Sequence, residues 1–189
     1  MSVIGLDTII KRIQEDNLIE NIGDRDMNDP EGCGVDFRLG SAHKIIKGEA
    51  YIEADRKGEL GLRKGVETEE VALFQEGKDS QDNLIVKPHE YYLIQTIESV
   101  NVPSDLMPIV FPRSSLFRAG LLLLATKTDP GYKGTFTFGL VNLSPFDVRI
   151  QMGARICNVV FLEIKGKTVD YRGQHQGGRI TLENEEKQI

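Results

Sequence analysis

Short apolar stretches closed by turn residues recur along the second half of the chain, and this recurrence limits the fold more than any other feature. Glu90–Ile97 is followed by the turn Asn101-Val102-Pro103-Ser104 and then by LMPIVFPR. Leu121–Thr126 runs into Asp129-Pro130-Gly131, with Gly134 just beyond. Phe136, Phe138 and Leu140 alternate along the next stretch, so they share one face of a strand. Ser144-Pro145, Val148–Ile150, Met152-Gly153 and Arg155–Ile164 continue the series. Strands at roughly 8–12-residue spacing with turn signals between them predict an antiparallel sandwich or barrel. LLLLAT is continuously apolar and predicts a strand buried on both faces.

The first half carries fewer signals. Residues 5–20 have Ile9, Ile10, Ile13 and Leu18 at helical spacing, with Asp7 as a cap, and predict a short N-terminal helix. The polar stretch from Asn21 to Gly32 reads as a loop. Val35–Leu39 predicts a short strand closed by Gly40, and His43–Ala54 a second one. Asp55–Gly65 is charged and glycine-rich, which fits an insertion or a hairpin arm. The tail from about Thr168 is polar, and its closing ENEEKQ predicts disorder. A chain of 189 residues, 40% hydrophobic, is expected to form one domain over 1–189.

Charge and cysteine usage exclude several functions. The net charge is -6, from 23 basic and 29 acidic side chains, and no basic run appears. A nucleic-acid backbone is therefore not an expected partner, although a local arginine cluster suffices for a triphosphate. The opening residues lack a positive start followed by an apolar run, and no stretch has the length of a membrane span. A cytoplasmic location without a membrane partner is expected. Cys33 and Cys157 lie far apart, and His43, His89 and His175 are well separated. Neither a disulfide framework nor zinc-ligand spacing results.

Four segments carry the residue types that chemistry needs. Arg113, Ser114, Ser115 and Arg118 fall within six residues around a helix start, where hydroxyls and guanidinium groups suit phosphate; a capped surface turn is the competing reading. Asp129 opens a tight turn in TDPGYKG, placed to hold a water or a sugar hydroxyl, or to cap its own backbone. Asp36 in GVDFRLG faces away from Val35 and Phe37, toward a metal, an arginine, solvent or Arg38. The tail YRGQHQGGR offers Arg172, Gln174, Gln176 and Arg179 on a glycine-loosened segment able to order over a phosphate chain. His175 carries no catalytic assignment here.

Taken in order, GVDFRLG, VKPHEYYLIQTIESVNVPSDL, PRSSLFRAGL, DPGYKG…LVNLS, GARICNVVF and YRGQHQG resemble the signature segments of the dCTP deaminase/dUTPase superfamily. The resemblance covers about residues 5 to 180. It implies a mostly β fold, a distorted β-barrel or jelly-roll-like β-clip of dUTPase type. It further implies a homotrimer with shared active sites and a magnesium-bound deoxypyrimidine nucleoside triphosphate as ligand. By position, Ser114, Arg118 and Asp129 resemble catalytic residues, with Asp129 beside the sugar. Arg113, Ser115, Gly134, Asn158, Tyr171, Arg172 and Gln174 resemble nucleotide contacts, and Asp36 resembles the acid linked to magnesium.

The chain departs from that pattern at informative places. Deaminases of the family carry a glutamate ten residues after the motif aspartate, where this chain has Gly139. No acid lies between Thr135 and Ser144 to replace it. Hydrolytic deamination needs a proton carrier, and glycine is none. The second acid of the dUTPase motif is here Gly131, the phenylalanine of its tail has only Tyr171 as a substitute, and Asp170 stands where deaminases have lysine. The pattern as a whole points to dUTP hydrolysis to dUMP and pyrophosphate. Deamination of dCTP and nucleotide binding without turnover are the alternatives.

Overall fold

A computed structural model describes residues 2–79, 81–182 and 184–188. The chain opens with helix α1 (Leu6–Asp16), the short strand β1 (Ile19–Glu20) and a one-turn helix α2 (Asp24–Asn28). The main sheet follows from β2 (Val35–Lys47), β5 (Glu67–Leu73), β7 (Tyr91–Asn101), β8 (Leu106–Pro112), β9 (Leu121–Leu124), β10 (Lys133–Asn142) and β12 (Arg155–Glu163). Their order is β8-β12-β2-β7-β10-β9, with β1 added to β7 and β5 to β2. The two edges meet again: Ile109 on β8 bridges Lys127 just beyond β9, and the Thr128 N–H donates to the Pro108 carbonyl at 3.0 Å. The result is a nearly closed antiparallel barrel, which satisfies strand edges that would otherwise be left open. A smaller ladder joins β6 (Asn83–Val86) to β11 (Val148–Gln151), and α3 (Ser114–Arg118) caps one end of the barrel.

The core lies inside this barrel. Phe136, Phe138 and Leu140 point inward from β10, and Phe37 stacks on Phe136 with ring centroids 5.6 Å apart. Ile94, Ile156 and Phe161 are fully covered beside them. One buried charge crosses the core wall: Glu98 on β7 accepts from the Arg38 backbone N–H (2.7 Å) and side chain (2.5 Å). Among the described residues, no helix is long and apolar enough to cross a membrane.

Several local expectations need correction. The first helix ends at Asp16, where Asn17 adopts a left-handed conformation, and Leu18 is buried beyond it. Asp7 lies inside the first turn, and no side chain caps that helix. The Asn21–Gly32 segment contains α2 rather than only loop. The two separate strands expected around Gly40 are one, β2, which continues through a register shift between Leu39 and Ser41. Gly40 is needed there because a Cβ would come within 2.8 Å of the Thr96 carbonyl on β7. LLLL is buried on one face only: Leu121 and Leu123 are covered, while Leu122 and Leu124 are 43% and 50% exposed. The end of the tail is ordered as strand β13 (Glu186–Lys187), paired with β4 (Leu62–Lys64), which itself pairs with β3 (Tyr51–Ile52).

Candidate functional site

The turn Asp129-Pro130-Gly131 leads from β9 into β10 and opens a cavity of about 280 Å³. Its walls come from Lys127, Asp129 and Tyr132 on the turn, Thr137 and Phe138 on β10, and Tyr171, His175 and Arg179 from the C-terminal tail. The volume lies near the lower end of small-molecule sites. The Lys127 ammonium donates to the half-exposed Asp129 carboxylate. Burial pushes the Tyr132 hydroxyl up to about 12, so it stays protonated and donates to the Thr135 carbonyl at 2.5 Å. Tyr171 meets Tyr132 edge to face at 5.4 Å.

Two glycines let the tail lie directly on this turn. Gly131 has φ +81°, and a Cβ there would come within 2.6 Å of Asp170. Gly134 has φ +132°, and its Cβ would meet the Gly177 backbone at 2.5 Å. Both conformations favour glycine, and both contacts leave no space for a side chain. Asp170 thus packs on the turn itself.

A second polar groove lies across β2, β8 and β12, centred on Asp36. That carboxylate is almost fully covered, with its side chain 5% exposed. Asn158 donates to its Oδ1 at 3.0 Å, and Arg155 (3.0 Å) and Arg113 donate to Oδ2. Arg25 on α2 approaches the same oxygen at 3.7 Å, and Ser114 lines the groove. The register explains the convergence, because Asn158 on β12 stands opposite Asp36 on one side and Phe111 on the other. Burial, reinforced by the like charges of Arg155 and Arg25, lowers the Arg113 pKa from its ordinary value.

This donor set does not fit a magnesium ligand at Asp36. Both carboxylate oxygens already accept from cationic or amide donors, and three guanidinium groups surround the position a dication would take. Among the described residues, no group of three or more His, Cys, Asp or Glu side chains is arranged to hold a metal. The arginine partner expected for Asp36, Arg38, is instead committed to Glu98.

The remaining sequence candidates divide between these places and the surface. Ser115 and Arg118 are exposed on α3, and the Arg118 guanidinium lies 5.9 Å from the Phe117 ring. Arg172 is exposed, while Gln174 turns from the cavity and donates to the Lys187 carbonyl at 2.7 Å. Within the chain, Ser114 and Asp129 therefore line separate depressions. The tail residues that do reach the cavity are Tyr171, His175, Arg179 and Ile180. Lys127 was legible in hindsight as the basic residue two positions before Asp129; Arg25 and Arg155 carried no local signal.

Gly139 sits in β10 opposite Leu93 on β7 and Leu124 on β9. The space where its side chain would project is taken by Tyr91, whose ring leans diagonally from its own position opposite Val141. The nearest heavy atoms to a Cβ at 139 are the Tyr91 hydroxyl oxygen, Cζ (3.0 Å) and Cε2 (3.1 Å). Burial raises the Tyr91 pKa from its ordinary value, so the phenol there is neutral.

Comparison with known proteins covers most of the chain. Residues 3–164 match a family model described as dCTP deaminase-like. The dCTP deaminase, dUMP-forming, of Dictyoglomus turgidum is 32% identical over 160 residues, spanning 82% of this chain and 77% of that protein. The dCTP deaminase of Pyrococcus furiosus is 30% identical over 167 residues, spanning 88% of each. The 2'-deoxycytidine 5'-triphosphate deaminase from Agrobacterium tumefaciens shares the fold, with a TM-score of 0.59 at 15% identity. That superposition covers 84% of this chain and 48% of the solved one, so the chain spans about half the length of that structure.

Proposed function

Because the chain belongs to the dCTP deaminase-like family, we propose that it is an enzyme acting on deoxypyrimidine nucleoside triphosphates, and that its reaction is hydrolysis of dUTP to dUMP and pyrophosphate. The observation that carries this reading is at Gly139. Forming dUMP from dCTP, as the name of the Dictyoglomus relative describes, takes two hydrolyses: release of the amine at C4 and cleavage between the α- and β-phosphates. The first needs a group that moves a proton from water to the leaving amine. At position 139 this chain offers no side chain, and the adjoining volume holds a neutral phenol.

The second hydrolysis asks less of the protein. Water adds to the α-phosphorus, the bond to the α–β bridging oxygen breaks, and pyrophosphate leaves with that electron pair. Asp129 would hold the water and take its proton, with Lys127 fixing the carboxylate from the other side. Tyr171 and Tyr132 form the aromatic wall, and Arg179 supplies positive charge at the mouth, beside a His175 whose pKa burial holds below its ordinary value. Magnesium would come with the triphosphate and would offset its charge, since the arginines around Asp36 leave no ligand free for it.

The reading includes a homotrimer in the cytoplasm. Ser114, Arg113 and Arg118 lie apart from Asp129 in one protomer, so a complete site would draw on a neighbour. The exposed apolar side chains Phe117, Leu122, Leu124, Leu143 and Phe146 are the kind of surface that subunit contact covers.

The test is a product assay with dUTP, dCTP and dTTP in the presence of magnesium, following pyrophosphate and ammonia separately. Pyrophosphate from dUTP and no ammonia from dCTP is the expected result. Asp129→Asn should lower pyrophosphate release by about 10²–10⁴-fold while the nucleotide still binds. Ammonia from dCTP would establish the deaminase reading, which the names of the relatives favour. Binding without any product would establish a non-enzymatic nucleotide-binding protein.

A further inference from the structure

The charged, glycine-rich arm between β3 and β4 has no part in the chemistry above. It is, however, where the C-terminal tail ends. Two strands of two and three residues form a ribbon too small to be stable alone in water. The tail completes it. Strand β13 pairs Glu186 with Arg63 and Lys187 with Leu62. The Gln188 N–H donates to the Gly61 carbonyl at 2.8 Å, and the Gly65 N–H to the Leu182 carbonyl at 2.6 Å. The Thr181 hydroxyl donates to the Val66 carbonyl at 3.0 Å, and Leu182 is buried against the arm at 5% exposure.

The same tail is fixed at its other end on the Asp129 turn. The Tyr171 N–H donates to the Pro130 carbonyl at 2.6 Å. The Gln176 side chain bonds both the Gly131 carbonyl (3.0 Å) and the Lys133 N–H (3.1 Å). The Gly177 N–H donates to the Lys133 carbonyl at 2.8 Å, and Gln95 donates to the Gly178 carbonyl, so His175 is held in the cavity wall by the barrel itself. Between Gly178 and the arm, the tail places Arg179 and Ile180 in that wall. Arg179 is held from the arm side by Glu186 of β13 at 2.6 Å.

We propose that the Tyr51–Val66 arm is a positioning element for the nucleotide cavity: by clasping residues 181, 182 and 186–188 it keeps Arg179 seated at the cavity mouth before ligand arrives. Without the clasp, the tail beyond Gly178 would sample many positions, and each binding event would then have to order it. The clasp meets that ordering cost within the fold. The inference rests on the proposed deoxypyrimidine triphosphate as ligand, but not on which bond is cleaved.

Gly65 gives a test far from the reacting groups. A Cβ there would lie 2.9 Å from the Leu182 nitrogen and press on the Thr181 hydroxyl. No unusual backbone conformation is involved, so the methyl group of Gly65→Ala acts as a wedge between arm and tail. A truncation after Asn184 removes β13 without touching the arm. For wild type and both variants, hydrogen exchange would be measured along residues 179–182 and along β7 and β10. Affinity for dUTP, dCTP and dTTP with magnesium would be measured by calorimetry.

Faster exchange in 179–182 with unchanged exchange in β7 and β10 is expected. Affinity for whichever triphosphates the wild type binds should fall about tenfold, if the unclasped tail is seated about a tenth of the time. Unchanged tail exchange in both variants would overturn the proposal. So would a released tail with affinity within twofold of wild type, or a wild type that binds none of the three nucleotides. If the binding results hold and dUTP is not turned over, only the hydrolytic reading falls.

Discussion

Adding one methyl group at position 139 measures how firmly Tyr91 occupies the space that a catalytic side chain would need. Tyr91 is 37% exposed. A tyrosine side chain carries on the order of 200 Å², so roughly 130 Å² of it is hidden, worth up to about 3 kcal/mol at ~25 cal/mol per Å². In the wild-type background, Gly139→Ala forces that ring to move, because the new carbon would stand 3.0 Å from Cζ and closer still to the hydroxyl. Overpacking of this kind costs about 1–3 kcal/mol. With Tyr91→Ala already made, the obstacle is gone, and alanine for glycine inside a strand gains about 0.5–1 kcal/mol. The two effects of the same methyl group therefore differ by about 1.5–4 kcal/mol. Urea unfolding of the wild type, both single variants and the double variant gives this coupling directly. If Gly139→Ala costs the same in both backgrounds within about 0.5 kcal/mol, Tyr91 does not fill the site and the reasoning fails. The chemistry can be probed in the same pair: Gly139→Glu should be accommodated only together with Tyr91→Ala, and ammonia release from dCTP should be sought in that double variant.

Asp36→Asn should destabilise the protein by about 2–3 kcal/mol, less than the ~3–5 kcal/mol of a fully buried pair because the arginines keep part of their surface in water; urea midpoints check it, and a metal-dependent loss would instead support magnesium at Asp36. His43 donates to or accepts from the Ser41 hydroxyl at 2.9 Å, faces Glu70 across the β2–β5 pair, and shares a groove with Arg179. Burial holds its pKa below the ordinary 6.5, with Glu70 opposing. The unfolded chain therefore takes up this proton first as pH falls, and stability should drop from about pH 6.5 down through the lower native value. His43→Gln should flatten that slope in unfolding midpoints measured between pH 7.5 and 5.5.

The order of strands along the second half, the alternation of Phe136, Phe138 and Leu140, and the turn at Asp129 were all legible in the sequence. Each depends on residues adjacent in the chain, where periodicity of two and the backbone demands of glycine and proline act locally. The ordered motifs also identified the family and located the departure at Gly139. What surrounds Gly139 was not legible. Tyr91 reaches it only through the diagonal geometry of the β7–β10 pair, forty-eight positions away in sequence. The environment of Asp36 was equally hidden, since Arg25, Arg113 and Arg155 come from three separate elements and meet only when β2, β8 and β12 are in register.

The tail shows the division most plainly. By composition ENEEKQ is polar and rich in charge, and no local rule gives it a partner. Glu183 lies outside the described residues, and residues 186–188 are ordered because the arm offers unpaired backbone donors and acceptors that a short ribbon cannot satisfy by itself. Sequence alone thus determined the class of fold, the family and the loss of the acid at position 139. Tertiary structure decided that Tyr91 fills the gap, that Asp36 is surrounded by arginines, and which tail residues face the cavity. Those outcomes depend on hydrogen bonds and close contacts between segments far apart in the chain, which no local pattern of residues encodes.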